Sequence, residues 1–156
     1  MLAAVFSDTH GNVAKMLRAV RDCQPDVLIH LGDYDRDALA LHREFPTLPL
    51  YSVCGNCDMA PIAPERLVAE LGPVRALLTH GHLYAVQYGR IDSLVYAAQE
   101  AGAQLVLYGH THEALYQELG GVQVLNPGSA GMGRRQSWAT VQIYETGGFI
   151  CQIRYF

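Results

Sequence analysis

Asp8 and His10 stand two residues apart, directly after the apolar run Leu2-Ala3-Ala4-Val5-Phe6. That run predicts a buried strand over residues 1–6. Residues i and i+2 of an extended segment project to the same side. A hard carboxylate oxygen and an imidazole are therefore presented together at the C-terminal end of a strand, the edge where open α/β sheets place ligands. One such pair is also an ordinary way into a helix, because Ser and Asp are good capping residues. The pattern recurs, however. Gly32-Asp33, Gly55-Asn56-Cys57-Asp58, His80-Gly81-His82 and Gly109-His110-Thr111-His112 each follow another apolar run, and five of the seven histidines lie in these motifs. The glycines allow the backbone to turn sharply and bring the next side chain toward a common point.

Carboxylate, carboxamide and imidazole donors in one set suit borderline divalent metals: Mn²⁺, Fe²⁺, Co²⁺, Ni²⁺ or Zn²⁺. The candidate ligands outnumber what one ion takes. Two ions sharing a carboxylate would use them all, and a pair roughly 3.5–4 Å apart clamps both oxygens of an in-line displacement at phosphorus.

The elements that must carry these motifs alternate. A helix is predicted over residues 13–23, with Val13, Met16, Leu17 and Val20 on one face, Asn12 as its cap and Pro25 marking its end. Strands over 26–31 and 48–53 flank a second helix over 36–45. A hairpin follows, 66–71 and 74–78 around Gly72-Pro73, then a helix over 91–101 and a strand over 104–107. Two further hairpins, 114–119 with 122–125 and 138–144 with 149–155, turn at Gly120-Gly121 and Gly147-Gly148. The α/β architecture expected is two β-sheets packed face to face, with helices outside.

A chain of 156 residues suits a single domain, residues 1–156. Half its residues are hydrophobic and 17% charged, which excludes intrinsic disorder. The net charge of -4 and one lysine argue against a nucleic-acid polymer or an anionic membrane surface as partner. No segment reads as a signal peptide or a bilayer span. The four scattered cysteines fit a reducing compartment, so a cytoplasmic location is expected.

Taken in order, D-x-H, G-D, G-N-x-D, H-G-H and G-H-T-H resemble the signature of the calcineurin-like metallophosphoesterases, most closely their small single-domain phosphodiesterase branch. The resemblance covers nearly the whole chain. It implies two divalent ions, Mn²⁺ first among the candidates. Asp8, His10, Asp33 and His112 would hold one, and Asp33, Asn56, His80 and His110 the other. Asp33 would bridge them, and a hydroxide between the metals would attack a small phosphoester. Many members read G-N-H-D, where this chain has Cys57; the thiol is a weaker acid than imidazole and favours leaving groups that need little protonation. The catalytic candidates are Asn56, Asp58, which would orient its neighbours, and His82, which does not carry over as a ligand and reads as either a substrate-facing group or a hydrogen-bonded neighbour. The competing reading is a non-catalytic scaffold resembling the small subunit of the retromer coat. The complete ligand set favours the enzyme. Members of this size often pair, so a homodimer or higher homo-oligomer is expected, with the C-terminal strand contributing.

Other residues have plainer readings. His30 reads as a core histidine and His42 as exposed. Cys54 and Cys57 match C-x-x-C, but Pro61 and Pro64 follow where a redox site would open a helix. Arg134 and Arg135 lie in a glycine-rich loop and read equally as a phosphate fork or as two solvated loop arginines. Tyr34, Tyr84 and Tyr88 could line a pocket for a base or aryl group but read first as packing residues, and Asn126-Pro127-Gly128-Ser129 reads as a turn in the site wall.

Overall fold

A computed structural model describes residues 1–156. Strand β1, Leu2–Phe6, lies at the centre of a five-stranded sheet and is buried on both faces from Ala3 onward. Its alternation divides two cores. Ala3 and Val5 point into the space between the sheets, whereas Ala4 and Phe6 point into the layer under helices. The neighbouring strand β2, Val27–His30, divides likewise, with Val27 and Ile29 on one side and Leu28 on the other. Each large apolar side chain buried in this way contributes about 2 kcal/mol.

Helices α1, Val13–Cys23, and α2, Asp35–Glu44, cover the outer face of this sheet through Met16, Ala19, Val20 and Leu41. Asn12 does precede α1, but its side chain makes no capping hydrogen bond. Strand β3, Leu50–Ser52, lies at one edge and pairs parallel with β2. The second sheet begins with the hairpin β4, Arg66–Leu71, and β5, Val74–Thr79. Helix α3, Asp92–Glu100, then crosses its outer face on Leu94, Val95 and Ala98 and delivers β6, Leu105–Leu107, parallel to β5. The hairpin β7, Leu115–Leu119, and β8, Val122–Asn126, completes that sheet, with β8 parallel to β6.

The last hairpin, β9, Ser137–Ile143, and β10, Phe149–Tyr155, returns to the first sheet, where β9 pairs antiparallel with β1. The sheet orders are β10-β9-β1-β2-β3 and β4-β5-β6-β8-β7. The result is the expected sandwich of two sheets between helical layers. The strands at 26–31, 48–53 and 104–107 are shorter than expected by two, three and one residues, β2 and β3 losing residues at both ends and β6 only its first. Two short 3₁₀ turns at His82–Tyr84 and Val86–Tyr88 were not anticipated. No helix is long and apolar enough to cross a membrane.

Candidate metal centre

Strands β1, β2 and β3 are parallel, so their C-terminal ends share one edge, and β5 and β6 do the same in the second sheet. Two hydrogen bonds clamp these edges together: His80 Nδ1 to the Leu31 carbonyl at 2.8 Å, and the His110 N–H to Asp8 Oδ2 at 3.1 Å. At this junction Asp8, His10, Asp33, His110 and His112 all adopt left-handed φ values between 46° and 72°. Such a backbone costs a non-glycine residue about 1–2 kcal/mol. Concentrated at one place, this strain marks a functional site. It reverses the chain at the strand ends and aims the side chains back over the sheet edges.

Two glycines admit the carboxylates. A Cβ on Gly55 would strike Asp33 Oδ1 and come within 2.6 Å of the Asp33 backbone nitrogen. One on Gly109 would strike Ser7 Oγ and come within 2.8 Å of Asp8 Oδ2.

The two carboxylates divide their oxygens. Asp8 Oδ2 accepts from the Ser7 hydroxyl at 2.5 Å and from the His110 N–H, while Oδ1 has no hydrogen-bond partner and lies 3.1 Å from His112 Nε2 and 3.9 Å from His80 Nε2. Asp33 Oδ1 accepts from the Cys57 N–H at 2.9 Å and sits 3.3 Å from His80 Nε2, whereas Oδ2 sits 3.6 Å from His10 Nε2. The imidazoles fall into two pairs, His10 with His112 and His80 with His110, with ring centroids 5.3 and 5.1 Å apart. Asp33 thus turns one oxygen to each pair. Donor atoms of Asp8, His10, Asp33 and His112 all lie within 4.8 Å of one another.

The protonation states agree with this geometry. Because a carbonyl can only accept, His80 Nδ1 carries the proton given to Leu31 and Nε2 faces the carboxylates; burial opposes a charge here, but the bond to Asp33 and the charges of Asp8 and Asp33 outweigh it and raise this imidazole, a positive charge that a cation at the centre would replace. Burial works against the Asp33 charge, but hydrogen bonding and charge from His80, with help from Cys57, outweigh it and hold the carboxyl well below the usual range. Burial, reinforced by His80, lowers His82 and His110 and keeps them neutral. His112 is raised, first by its bond to Asp8. The fit to a cation rests on orphaned atoms: Asp8 Oδ1, His10 Nε2, His80 Nε2 and His82 Nδ1 are buried without a hydrogen-bond partner. Buried polar atoms left unpaired are costly; Asp8 Oδ1 and His10 Nε2 belong to the cluster of donors within 4.8 Å of one another, and a divalent ion there would satisfy them.

The remaining sequence candidates are placed as follows. Asn56 is exposed, and its carboxamide donates only to Cys57 Sγ, at 3.6 Å. Asp58 spends both oxygens on backbone N–H groups, of Asp35 at 2.8 Å and Gly55 at 2.7 Å, so it holds the loop to the start of α2 and does not face a reacting group. His82 lies beside the second pair, its ring 5.5 Å from His80 and 6.2 Å from His110. Its Nδ1 has no protein partner. Both loop arginines are exposed, and the Arg135 guanidinium stacks on Tyr155 at 3.8 Å. Tyr84 packs beneath α3, but Tyr34 and Tyr88 are 44% and 75% exposed, against the packing expectation. Cys54 and Cys57 are free thiols.

Sequence reasoning missed the residues that hold the loops. His30 is fully buried, as a core histidine should be, yet it accepts from the Gly32 N–H at 3.3 Å through Nδ1 and meets the Thr9 hydroxyl at 3.0 Å through Nε2. It ties the Asp8 loop to the Asp33 loop. Asn126 reaches the Gly109 carbonyl and Thr111 hydroxyl at 2.9 and 3.1 Å, and the Ser129 hydroxyl donates to the Asp8 carbonyl at 2.8 Å. The Asn-Pro-Gly-Ser motif was the available signal for the second pair. A histidine inside a strand gave none.

Residues 1–148 match the family model of the calcineurin-like phosphoesterase superfamily domain. The chain is 30% identical to the probable metallophosphoesterase YsnB of Bacillus subtilis, over 95% of this chain and 93% of that one. It is 29% identical to the phosphodiesterase MJ0936 of Methanocaldococcus jannaschii, over 82% and 83% of the two chains. The zinc complex of Vps29 from Entamoeba histolytica shares the fold, with a TM-score of 0.77 at 21% identity over 99% of each chain.

Proposed function

From the premise that this chain belongs to the calcineurin-like phosphoesterase superfamily, we propose that it is a dinuclear-metal phosphodiesterase acting on small phosphoesters. The observation that carries the reading is Asp33, whose two carboxylate oxygens face separate imidazole pairs. Asp8, His10, Asp33 and His112 would hold one ion, and Asp33, His80 and His110 the other, with Asn56 turned inward from its present bond to Cys57. Mn²⁺ is the first candidate, with Zn²⁺, Fe²⁺, Co²⁺ and Ni²⁺ compatible with the same donors. Bound ions supply Lewis acidity, which acidifies water to near neutral pH and neutralises phosphate oxygens.

The chain's own residues keep the donors oriented. Ser7 and the His110 N–H fix one oxygen of Asp8 so that the other faces inward, and the Leu31 carbonyl fixes the His80 tautomer. His82, neutral and without a protein partner, is the imidazole left to hydrogen-bond substrate. Cys57 offers little acid assistance, because burial and then Asp33 push its thiol up to about 11. A group that weakly acidic protonates a leaving group poorly at neutral pH.

Asp33→Asn tests the reading. It is expected to abolish hydrolysis of an activated aryl phosphodiester and to lower bound metal in the same preparation, read by elemental analysis. Full turnover with two ions retained would refute the bridge. The second reading, a scaffold, is favoured by the likeness of fold to Vps29. It predicts no turnover in the unaltered protein.

A further inference from the structure

Two clefts open beside the donor cluster, and only one of them holds a guanidinium. One, of about 340 Å³, is lined by Tyr34, Arg36, Cys57 and Met59 together with Asp35 and Asp58. The other, of about 680 Å³, runs from His110 past Glu113 to Gln87 and Gln117 and includes no basic side chain other than His110. They share no residue.

The smaller cleft adjoins the centre directly. The Cys57 N–H is bonded to Asp33, and the Tyr34 ring leans on His10 with centroids 5.3 Å apart. A left-handed φ of 71° fixes where the Tyr34 side chain leaves the backbone. The acids in the wall are turned to the backbone: Asp35 Oδ2 accepts from the N–H groups of Ile62 and Ala63, and Asp58 accepts from those of Asp35 and Gly55. Arg36 is exposed and takes part in none of the protein's ion pairs. Met59 is wholly exposed. The cleft therefore presents an aromatic face, a thioether and one free guanidinium beside the phosphate-handling centre. The first two suit a planar ring, and the third suits a phosphate.

We infer that this cleft is a substrate subsite for a substituent joining a planar ring to a second phosphate, as in a nucleotide unit phosphorylated at both ends. The ring lies against Tyr34 and Met59, and the second phosphate meets Arg36. The larger cleft, with its amides and the Glu113 carboxylate, takes the uncharged substituent of the diester. This assignment rests on the hydrolytic reading above and narrows it to one class of diester.

The test uses ligands that differ only in the second phosphate. Binding of thymidine 3′-phosphate and thymidine 3′,5′-bisphosphate to Mn²⁺-loaded protein is measured by calorimetry. Release of p-nitrophenol is followed from the p-nitrophenyl esters of the 3′-phosphate of both nucleotides. The bisphosphate is expected to bind roughly fivefold tighter, the gain of one partly screened charge pair, and the matching ester to show that preference in KM. In Arg36→Gln the ratio should fall toward one. Equal binding of both nucleotides by the unaltered protein, or a preference that survives Arg36→Gln, would overturn the subsite. Because each ratio is taken within one protein, partial loss of metal or folding cancels. Absence of p-nitrophenol release from either ester would count separately, against the hydrolytic reading, since the binding ratio does not depend on turnover.

Discussion

Cys57 is the position at which a single side chain sets the chemistry. Its backbone N–H serves Asp33, a role any residue can fill, so the side chain is free to vary. A thiol pushed up to about 11 gives almost no acid assistance at pH 7. Cys57→His should therefore raise kcat on diesters with poor leaving groups, by up to about a hundredfold if the imidazole acts as a general acid, and change little for p-nitrophenolate. The plot of log kcat against leaving-group pKa is the measurement. An unchanged slope would mean that position 57 takes no part in proton transfer. Asp8 and Asp33 work differently: Asp8 has one oxygen fixed by Ser7 and the His110 N–H so that the other points inward, whereas Asp33 turns both oxygens to the imidazoles.

At the scale of elements, the site is made by strand ends, and the loops after them must keep register with each other. His30 does this for β1 and β2, through the Thr9 hydroxyl and the Gly32 N–H. His30→Leu keeps the volume and removes both bonds, leaving two buried groups unpaired at about 1–3 kcal/mol each. The variant should fold with a lowered Tm and bind Mn²⁺ more weakly, whereas His30→Gln, which can remake the bond to Thr9, should recover part of the metal affinity. Unaltered metal affinity in His30→Leu would show that the loops hold their register without it.

Much of this layer was legible in the chain. Val27-Leu28-Ile29 and Leu105-Val106-Leu107 are too short and too apolar for anything but buried strands, and the glycines after them announce the turns. What local patterning cannot contain is partnership. Nothing in residues 137–155 says that β9 pairs with β1 and not with its predecessor β8, because that choice is made by which edge remains open. The stacking of Arg135 on Tyr155 is invisible for the same reason: it depends on β10 lying beside the loop. The left-handed turns at the ligands were hidden as well, since Asp and His do not advertise them as glycine does.

For the whole molecule, the centre is a seam between two sheets, and its buried donors would tie metal binding to stability. Without a cation, Asp8 Oδ1 and three imidazole nitrogens are buried unpaired. Ligand that binds only the folded state adds about 2.7 kcal/mol at a hundredfold excess over Kd. For a domain of this size that corresponds to about 5–10 °C in Tm. Chelation should lower Tm by that amount, and restoring Mn²⁺ should recover it; a Tm indifferent to chelator would mean the donors hold no ion in solution.

The most direct test of the central claim is a titration of metal-stripped protein with Mn²⁺, following turnover of bis(p-nitrophenyl) phosphate and bound metal together. Activity should rise with occupancy and saturate near two ions per chain. Two ions bound tightly without turnover would contradict it and leave a scaffold that keeps its metals.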